Sequence, residues 1–285
     1  MARPSKESRL WQQAADAYLS APQTKALGSI NDIRVQLAWI GLAWGKRQVV
    51  KIDRPAIVSL MDSKQSQGAT GATLNRYTST IRRVLFYALE RAWIPVLPLM
   101  PHFKEMARAH PMLSAEQEAA LLDELPEHIK PLFRFALATG LRKQNVTHLE
   151  WDRVDLETRY ARIEGDQAKA GRRIGVPLND NALAVLWERW ESTDKHPRWV
   201  FHHNNHPIIQ PAGVAWQSAV KRAGLKGLRW HDLRSVWASR HGMAGTPPNA
   251  LMELGGWSSL AMVQKYTTLA PGYVAQFAGN SACQQ

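Results

Sequence analysis

The stretch that decides the fold is residues 231–266, which read HDLRSVWASRHGMAGTPPNALMELGGWSSLAMVQKY. Its apolar spacing and turn residues predict three helices, over residues 231–240, 248–254 and 259–266. A His-x-x-Arg pattern begins the first helix, a Gly-Gly-Trp turn follows the second, and a tyrosine ends the third. His231, Arg234, Trp257 and Tyr266 are therefore the first candidates for a functional site.

Upstream of this stretch, an apolar helix ends at a glycine. Residues 131–138 predict a buried helix that stops at Gly140, and Arg142 follows two residues later. Residues 114–117 form a capping box, which predicts another helix that runs toward Leu125. Two more helices are predicted in this half of the chain, over residues 181–190 and 212–223.

Between these helices lies a predicted β-hairpin. Residues 160–164 and 173–178 flank a polar turn, as the two strands of a hairpin would. Lys169 lies in that turn, where its side chain can reach a bound substrate. Two neighbours are either rivals of this lysine or clamps for a phosphate backbone: Arg172 and Arg173. The segment from 151 to 178 is the only one that predicts β-structure.

The first hundred residues predict helices separated by polar turns, over residues 10–19, 30–44, 53–61 and 74–91. Asp53 and Pro55 form an N-cap followed by a proline in the first turn, and residues 67–71 predict a loop. The last of these helices has an apolar stripe for packing. Its arginines stay available for phosphates: Arg76, Arg82 and Arg83.

Four prolines between residues 94 and 111 interrupt the helical pattern. We therefore predict a helical domain at 1–105, a linker at 106–111 and a second domain at 112–285. The fold class that follows is mainly α with a small antiparallel β-sheet, and the sheet belongs to a mixed α/β second domain.

Charge is the first functional clue in the composition. The 285 residues carry a formal net charge of +12. Residues 1–110 hold 16 Lys and Arg against 7 Asp and Glu, whereas residues 111–285 hold 20 against 17. A basic excess of this size suits a polyanion such as DNA, because each neutralised phosphate releases counterions. Solubility alone would explain the same charge.

Several protein classes are excluded by what the sequence lacks. The single cysteine, Cys283, has no intramolecular partner, so neither a disulfide framework nor a cysteine metal cage is possible. The apolar stretches are too short to span a bilayer, and no apolar run follows the basic N-terminus as in a secretory signal. A cytoplasmic setting is expected.

The candidate residues suit the cleavage of a phosphodiester. Tyr266 offers a hydroxyl nucleophile, but a phenol is mostly protonated at neutral pH and needs a base. His231 can accept that proton. Arg142 and Arg234 offer planar, permanently charged forks for the non-bridging phosphate oxygens.

Two further residues complete the set of six. Trp257 offers an indole N–H, which donates a hydrogen bond but cannot act as a base. Lys169 can give a proton to the departing oxygen. Asp232 is the only acidic residue inside these motifs, whereas metal-assisted nucleases gather carboxylates around their ions. We therefore predict chemistry without a metal or any other cofactor.

In order along the chain, these segments resemble the motifs of the tyrosine recombinase (phage integrase) family. The matching segments are ATGLR at 138–142, Lys169, HDLR at 231–234, LGGW at 254–257 and KYTTL at 265–269. Any one of them alone is weak evidence, but all of them in this order are a strong signal. The resemblance extends over roughly residues 111–278, and the N-terminal region fits the family's core-binding domain more loosely.

The resemblance implies a core-binding domain and a catalytic domain that form a C-shaped clamp around double-stranded DNA. It implies a 3′-phosphotyrosyl intermediate, strand exchange in a homo-tetramer, and a C-terminal segment, residues 271–278, that packs on a neighbouring subunit. Accessory DNA-bending or directionality proteins are possible partners, and a bacterial or prophage nucleoid is the expected setting. The chain begins close to its first helix, so no separate arm-site module is expected.

Three details qualify the resemblance. Asn145 occupies a position where the family usually has an acidic residue, which puts the support of Arg142 in question. Tyr273 is a second tyrosine near the end, but we expect it to pack or to lie in the tail. The histidines of residues 202–206 have the i, i+4 spacing of a helical zinc site, yet two asparagines and Pro207 predict a turn there instead.

Two alternative functions remain open. A type IB topoisomerase would use similar catalytic residues but would act as a monomer that relaxes supercoils. A catalytically silent DNA-binding regulator would keep the same scaffold. Single residues also have ordinary explanations, since Arg142 could cap the preceding helix and Lys169 could serve solubility.

Overall fold

A computed structural model describes residues 9–106, 112–164 and 174–267. The chain divides into two compact units, residues 1–108 and residues 109–285. Within the described ranges helices predominate, and every strand has four residues or fewer. The predicted fold class, mainly α with small antiparallel β-structure, is confirmed. None of the described helices combines the length and apolar character needed to cross a bilayer.

The described part of the N-terminal unit contains five helices. They are α1 (Trp11–Ser20), α2 (Pro22–Lys25), α3 (Ile30–Trp44), α4 (Arg54–Ser66) and α5 (Gly71–Glu90). The longest helix, α5, packs against α1, α3 and α4. Four of these helices are predicted from the sequence, and α3 has the predicted bounds. The short α2 has no counterpart in the prediction, and α4 extends five residues beyond its predicted end.

The start of α5 differs from the prediction for a structural reason. Thr70 caps the helix by accepting from the Thr73 N–H, so the helix begins at Gly71 and not at Leu74. A Cβ atom on Gly71 would lie 2.0 Å from the Lys104 carbonyl oxygen. A glycine therefore lets the chain before the predicted linker lie directly against the first turn of α5.

One asparagine fastens this proline-rich chain to the N-terminal unit. The Asn75 side chain donates to the Phe103 carbonyl at 2.9 Å and accepts from the Phe103 N–H at 2.9 Å. The prolines thus end the helical pattern without ending the unit. The three arginines predicted to face DNA lie exposed on α5: Arg76, Arg82 and Arg83.

The described part of the second unit contains eight helices and five short strands. The helices are α6 (Ala115–Glu124), α7 (Lys130–Thr139), α8 (Lys143–Thr147), α9 (Asp180–Trp190), α10 (Val214–Arg222), α11 (Asp232–Met243), α12 (Pro248–Gly255) and α13 (Leu260–Thr267). The strands are β1 (Val154–Asp155), β2 (Tyr160–Ile163), β3 (Ile174–Pro177), β4 (His202–His203) and β5 (His206–Pro207). All the helices predicted in this half are confirmed within a few residues, whereas α8 is an addition.

The β-structure is partly as predicted. Strands β2 and β3 are antiparallel, with Ala161 opposite Val176 and Ile163 opposite Ile174, which confirms the hairpin. Strand β1 adds a third member to the sheet in the order β1-β2-β3. The expectation of a single β region is wrong, because β4 and β5 form a second hairpin. Its turn residues, Asn204 and Asn205, both have positive φ, a backbone conformation that asparagine tolerates.

The centre of the second unit is α11, which is buried from Asp232 to Ser239 and packs against α7, α12 and α13. A helix that is enclosed on all sides carries few exposed residues, which explains its weak amphipathic pattern. A separate aromatic cluster lies along this helix, apart from the main core. It comprises Trp237, Ala238, Leu251, Trp257, Val263 and Tyr266.

Candidate active site

Arg234 projects from α11 and is 5% exposed. Its Nη1 donates to the Gly140 carbonyl at 2.7 Å, and its Nη2 donates to the Gly255 carbonyl at 2.5 Å. Burial, reinforced by the charge of Arg142, lowers the pKa of Arg234 to about 10, while Tyr266 acts in the opposite direction. The guanidinium therefore stays positive at neutral pH, held between the ends of two helices.

Arg142 binds the same glycine turn after α12 that Arg234 binds. It follows the left-handed Gly140 and is half-buried. Its Nη2 donates to the Gly256 carbonyl at 3.3 Å, and burial lowers its pKa. Its Nη1 is buried without a hydrogen-bond partner among the described residues. Among the described residues its side-chain hydrogen bond goes to Gly256, so it does not cap the helix that precedes it.

Two left-handed glycines bring these carbonyls into position. Gly140 has φ +62°, and a Cβ there would lie 2.2 Å from the Trp237 ring. Gly256 has φ +59°, and a Cβ there would lie 2.4 Å from Ile174 Cδ1. Only glycine combines this backbone conformation with so close an approach. The contact with Ile174 also places the base of the β2–β3 hairpin beside the arginine-binding turn.

Trp257 connects the arginine to the tyrosine. The Arg234 guanidinium carbon lies 4.2 Å from the centre of the Trp257 ring, within cation–π range. The Tyr266 ring packs on the same indole, with centroids 5.6 Å apart and planes inclined by 39°. Trp257 and Tyr266 are 6% and 5% exposed, so both are held by packing. The structure thus brings Arg142, Arg234, Trp257 and Tyr266 together.

His231 differs from these residues because it is partly exposed. Its pKa is lowered, first by desolvation from the surrounding protein and then by the charge of Arg234. Arg229 and Arg142 act in the same direction, whereas Asp232 opposes them. The imidazole is therefore neutral at pH 7 and can accept a proton.

The model of the phage integrase family matches residues 111–272, more than half of the chain. The integrase of Salmonella phage P22 is 35% identical over 225 residues, which are 74% of this chain and 57% of that protein.

The chain belongs to the phage integrase family.

Other family members are more distant. The prophage integrase IntA of Escherichia coli K12 is 26% identical over 73% of this chain and 52% of its own length. The chain thus spans somewhat more than half of these two relatives. A lambda integrase tetramer bound to a Holliday junction superposes with a TM-score of 0.78 at 17% identity. That match covers 92% of this chain and 78% of the other, and it shows the shared fold.

Several predicted residues of this phage integrase chain lie outside the described ranges. They are Lys169, Arg172 and Arg173 in the hairpin turn, and Tyr273 with the rest of residues 271–278 in the tail. Their roles remain predictions. The described strand β2 ends at Ile163, before the predicted turn, and β3 begins at Ile174, after it.

Asn145 marks the departure from the family pattern. Its side chain is 1% exposed, and its Oδ1 has no hydrogen-bond partner within the described part of the chain. It lies one turn after Arg142, whose Nη1 is also buried and unpaired there. A neutral amide fits this buried position with a smaller desolvation cost than a carboxylate would have.

Two residues without a motif signal also support this phage integrase site. Trp237 is 5% exposed and stacks on Trp257, with centroids 6.1 Å apart and planes inclined by 28°. Its position one helical turn after Arg234 is the signal that could have identified it. Arg229 binds Asp232, and its i, i+3 spacing from that aspartate is the corresponding clue.

The histidine-rich segment is a strand pair in this family member. His202 lies on β4 opposite Pro207 on β5, so the i, i+4 spacing does not place His202 and His206 on one helix face. His202 is buried, and its Nε2 lies 3.1 Å from Arg189 Nη2. Among the described residues, no three His, Cys, Asp or Glu side chains form a metal-binding group.

Proposed function

We propose that the chain is a site-specific DNA recombinase of the integrase type, with Tyr266 as its nucleophile. The observation that carries this proposal is the packing of Tyr266 on Trp257, the residue whose indole also contacts Arg234. A phenol is thereby held near a buried cation that suits a phosphate oxygen. Membership of the phage integrase family supports the same function.

The reaction is an exchange of phosphodiester bonds. Tyr266 Oη attacks the scissile phosphorus, the bond from phosphorus to the 5′ oxygen breaks, and a 3′-phosphotyrosine forms. His231 accepts the phenol proton, and Lys169 gives a proton to the departing 5′ oxygen. A 5′ hydroxyl from another strand then reverses these steps, so the number of phosphodiester bonds is conserved.

Arg142 and Arg234 stabilise the charge that builds up on the non-bridging oxygens. Both guanidiniums are fixed by main-chain carbonyls, so little reorganisation is needed when the phosphate arrives. Trp257 donates a hydrogen bond from its indole N–H to the phosphate, and the face of its ring contacts the Arg234 guanidinium. No step in this scheme uses a metal ion.

The N-terminal unit grips the duplex in this proposal. Its charge excess and its exposed arginines on α5 support that role: Arg76, Arg82 and Arg83. The boundary at 106–111 separates this DNA-binding domain from the catalytic domain. The hairpin arginines Arg172 and Arg173 would hold the DNA backbone beside the cleavage site.

The relatives support the assembly and the cellular setting that we propose. The lambda integrase neighbour is a tetramer on a Holliday junction, and we extend that assembly to this chain. Residues 271–278 would pack on a neighbouring subunit in the tetramer. The phage and prophage relatives favour a bacterial cytoplasm and nucleoid, where accessory DNA-bending or directionality proteins would select integration or excision.

A nicked suicide substrate tests the proposal. Footprinting on DNA from either side of the gene first locates the site. The unmodified chain should form a covalent adduct with the nicked site, and Tyr266→Phe should bind the DNA without forming one. Tyr160→Phe is the matched control, because Tyr160 lies on β2 at the surface and should leave the adduct intact. No adduct on any such DNA would contradict the proposal.

A topoisomerase assay separates the main alternative. A type IB topoisomerase would relax supercoiled plasmid that has no recombination site. We expect relaxation only on plasmids that carry the site, and recombination only when two sites are present. Relaxation of both plasmids at equal rates would favour the topoisomerase.

A further inference from the structure

A tight turn precedes α11 and fixes two exposed side chains. The Asp232 N–H donates to the Arg229 carbonyl at 2.9 Å, and the Arg229 N–H donates back to the Asp232 carboxylate at 2.8 Å. Between them Trp230 is 4% exposed and packs on Trp216 with ring centroids 5.0 Å apart. Arg229 and His231, on either side of this buried anchor, lie at the surface.

Asp232 also holds the Arg229 side chain. Its Oδ1 accepts from Arg229 Nη2 at 2.8 Å and from Nε at 3.2 Å. The Asp232 side chain is 3% exposed, whereas that of Arg229 is 62% exposed. The carboxylate thus occupies one edge of the guanidinium. No hydrogen bond within the described residues uses Nη1, so the outer fork remains for another acceptor.

We propose that Arg229 binds a DNA phosphate that flanks the one attacked by Tyr266. The proposal rests on the recombinase function and adds a binding contact outside the six motif residues. Free N–H groups on Nη1 and Nη2 match a phosphate in end-on geometry. Asp232 has already removed much of the side chain's freedom, so less conformational entropy is lost when the phosphate binds.

The short turn supports a flanking phosphate as the ligand. Arg229 and Asp232 are the ends of a four-residue turn, whose terminal Cα atoms lie within about 7 Å of each other. His231 lies inside that turn, and the Arg229 charge acts on its imidazole, so the two side chains lie on the same part of the surface. Successive nucleotides of a strand rise by about 3.4 Å. A phosphate one or two nucleotides from the attacked one is therefore within reach.

An ion pair that only secures the turn is the competing explanation. The turn, however, is already held by the bond from the Asp232 N–H to the Arg229 carbonyl, by the bond from the Arg229 N–H to the Asp232 carboxylate, and by the burial of Trp230. These contacts do not need the guanidinium. An exposed, oriented cation beside the proposed base is better explained by binding to the polyanionic substrate.

Neutral phosphates test the contact directly. The full chain and Arg229→Gln are titrated with an intact duplex that carries the recombination site. They are also titrated with versions of this duplex that each carry one methylphosphonate within three nucleotides of the cleavage point. The unmodified chain should lose about tenfold in affinity when the partner phosphate is neutral. Arg229→Gln should bind unmodified DNA with about tenfold lower affinity. A methylphosphonate at the partner phosphate should not lower its affinity any further. Its slope of log K against log salt should fall by about 0.9.

Arg222→Gln is the matched control, because Arg222 is also exposed and paired with an acid, Glu124. It should keep the methylphosphonate pattern of the unmodified chain. Arg229→Met removes the charge but keeps a long side chain, which covers the case in which Arg229→Gln folds poorly. The proposal is overturned if Arg229→Gln, or Arg229→Met in that case, remains as sensitive as the unmodified chain at every position.

These outcomes are separate from a failure of the proposed function. If the unmodified chain forms no adduct on its nicked site, the recombinase proposal fails. If the adduct forms but a methylphosphonate at each position lowers the affinity of Arg229→Gln as much as that of the unmodified chain, only the Arg229 contact fails.

Discussion

The Arg234 guanidinium carbon lies 4.2 Å from the centre of the Trp257 ring, so the indole supports the cation directly. A desolvated cation–π contact of this kind stabilises by about 2 kcal/mol. The same indole packs on Tyr266, which couples the position of the proposed nucleophile to that of the phosphate-binding cation. Substitutions that disturb this arrangement should therefore affect cleavage more than DNA binding.

Arg234→Lys should reduce cleavage strongly. A single ammonium cannot donate to the carbonyls of Gly140 and Gly255 and also bind a phosphate with the geometry of a fork. We expect the rate of covalent adduct formation to fall by about 10²- to 10³-fold, the usual cost of a lost donor to a developing anion. The rate is measured in a single turnover on the nicked substrate.

The control for this substitution is Arg134→Lys. Arg134 is partly exposed and pairs with Glu188 at 2.6 Å, so its replacement changes a surface ion pair only. It should cleave at the rate of the unmodified chain. Cleavage by Arg234→Lys within tenfold of that rate would contradict the proposed role of the fork.

Gly140→Ala should destabilise the second unit and slow cleavage. The left-handed φ costs an L-residue about 1–2 kcal/mol, and the collision with Trp237 adds an overpacking cost of about 1–3 kcal/mol. Gly224→Ala isolates the first cost, because Gly224 has φ +71° and open space around its Cα. Urea unfolding should therefore give a larger loss for Gly140→Ala. Equal losses would show that Trp237 does not set this position.

Much of the site is predictable from the sequence because its parts lie at the ends of helices. A glycine that ends α7 predicts where Arg142 begins the next segment, and the helical spacing of 231–234 places His231 and Arg234 one turn apart. Helix ends follow local rules of capping and backbone conformation, which a single sequence carries.

The rest depends on contacts between distant segments. Nothing local indicates that Arg142 bonds to the Gly256 carbonyl, 114 residues later, or that Trp237 fills the space above Gly140. The early start of α5 at Gly71 likewise depends on the chain near Lys104. Strand β1 has only two residues, too few for an alternating pattern to show.

Cleavage should persist when divalent ions are removed. In the proposed scheme two guanidiniums carry the phosphate charge, so the first step needs no metal Lewis acid. We expect the rate of adduct formation in excess EDTA to remain within about twofold of the untreated rate. A chelated magnesium-dependent restriction nuclease on the same DNA serves as the control for ion removal. Complete loss of adduct that added magnesium restores would contradict the scheme.

The pH dependence of cleavage should follow His231. Desolvation, then the charge of Arg234, and more weakly Arg229 and Arg142, lower the pKa of this histidine below its ordinary value of about 6.5, against the opposing effect of Asp232. The neutral imidazole is the form that accepts the phenol proton. It is fully present above the ordinary pKa and is lost as the pH falls through the lowered pKa. Adduct formation should therefore decline as the pH falls, with a midpoint below the ordinary value of about 6.5.

His231→Asn distinguishes this explanation from a general loss of structure in acid. The variant should cleave about 10²- to 10⁴-fold more slowly, which is the usual contribution of a general base. Its rate should no longer fall as the pH is lowered through the range in which the imidazole becomes protonated. Circular dichroism at each pH checks that both proteins stay folded. Because the surrounding cations resist protonation of the imidazole, a midpoint above pH 7 in the unmodified chain would show that another group controls the reaction.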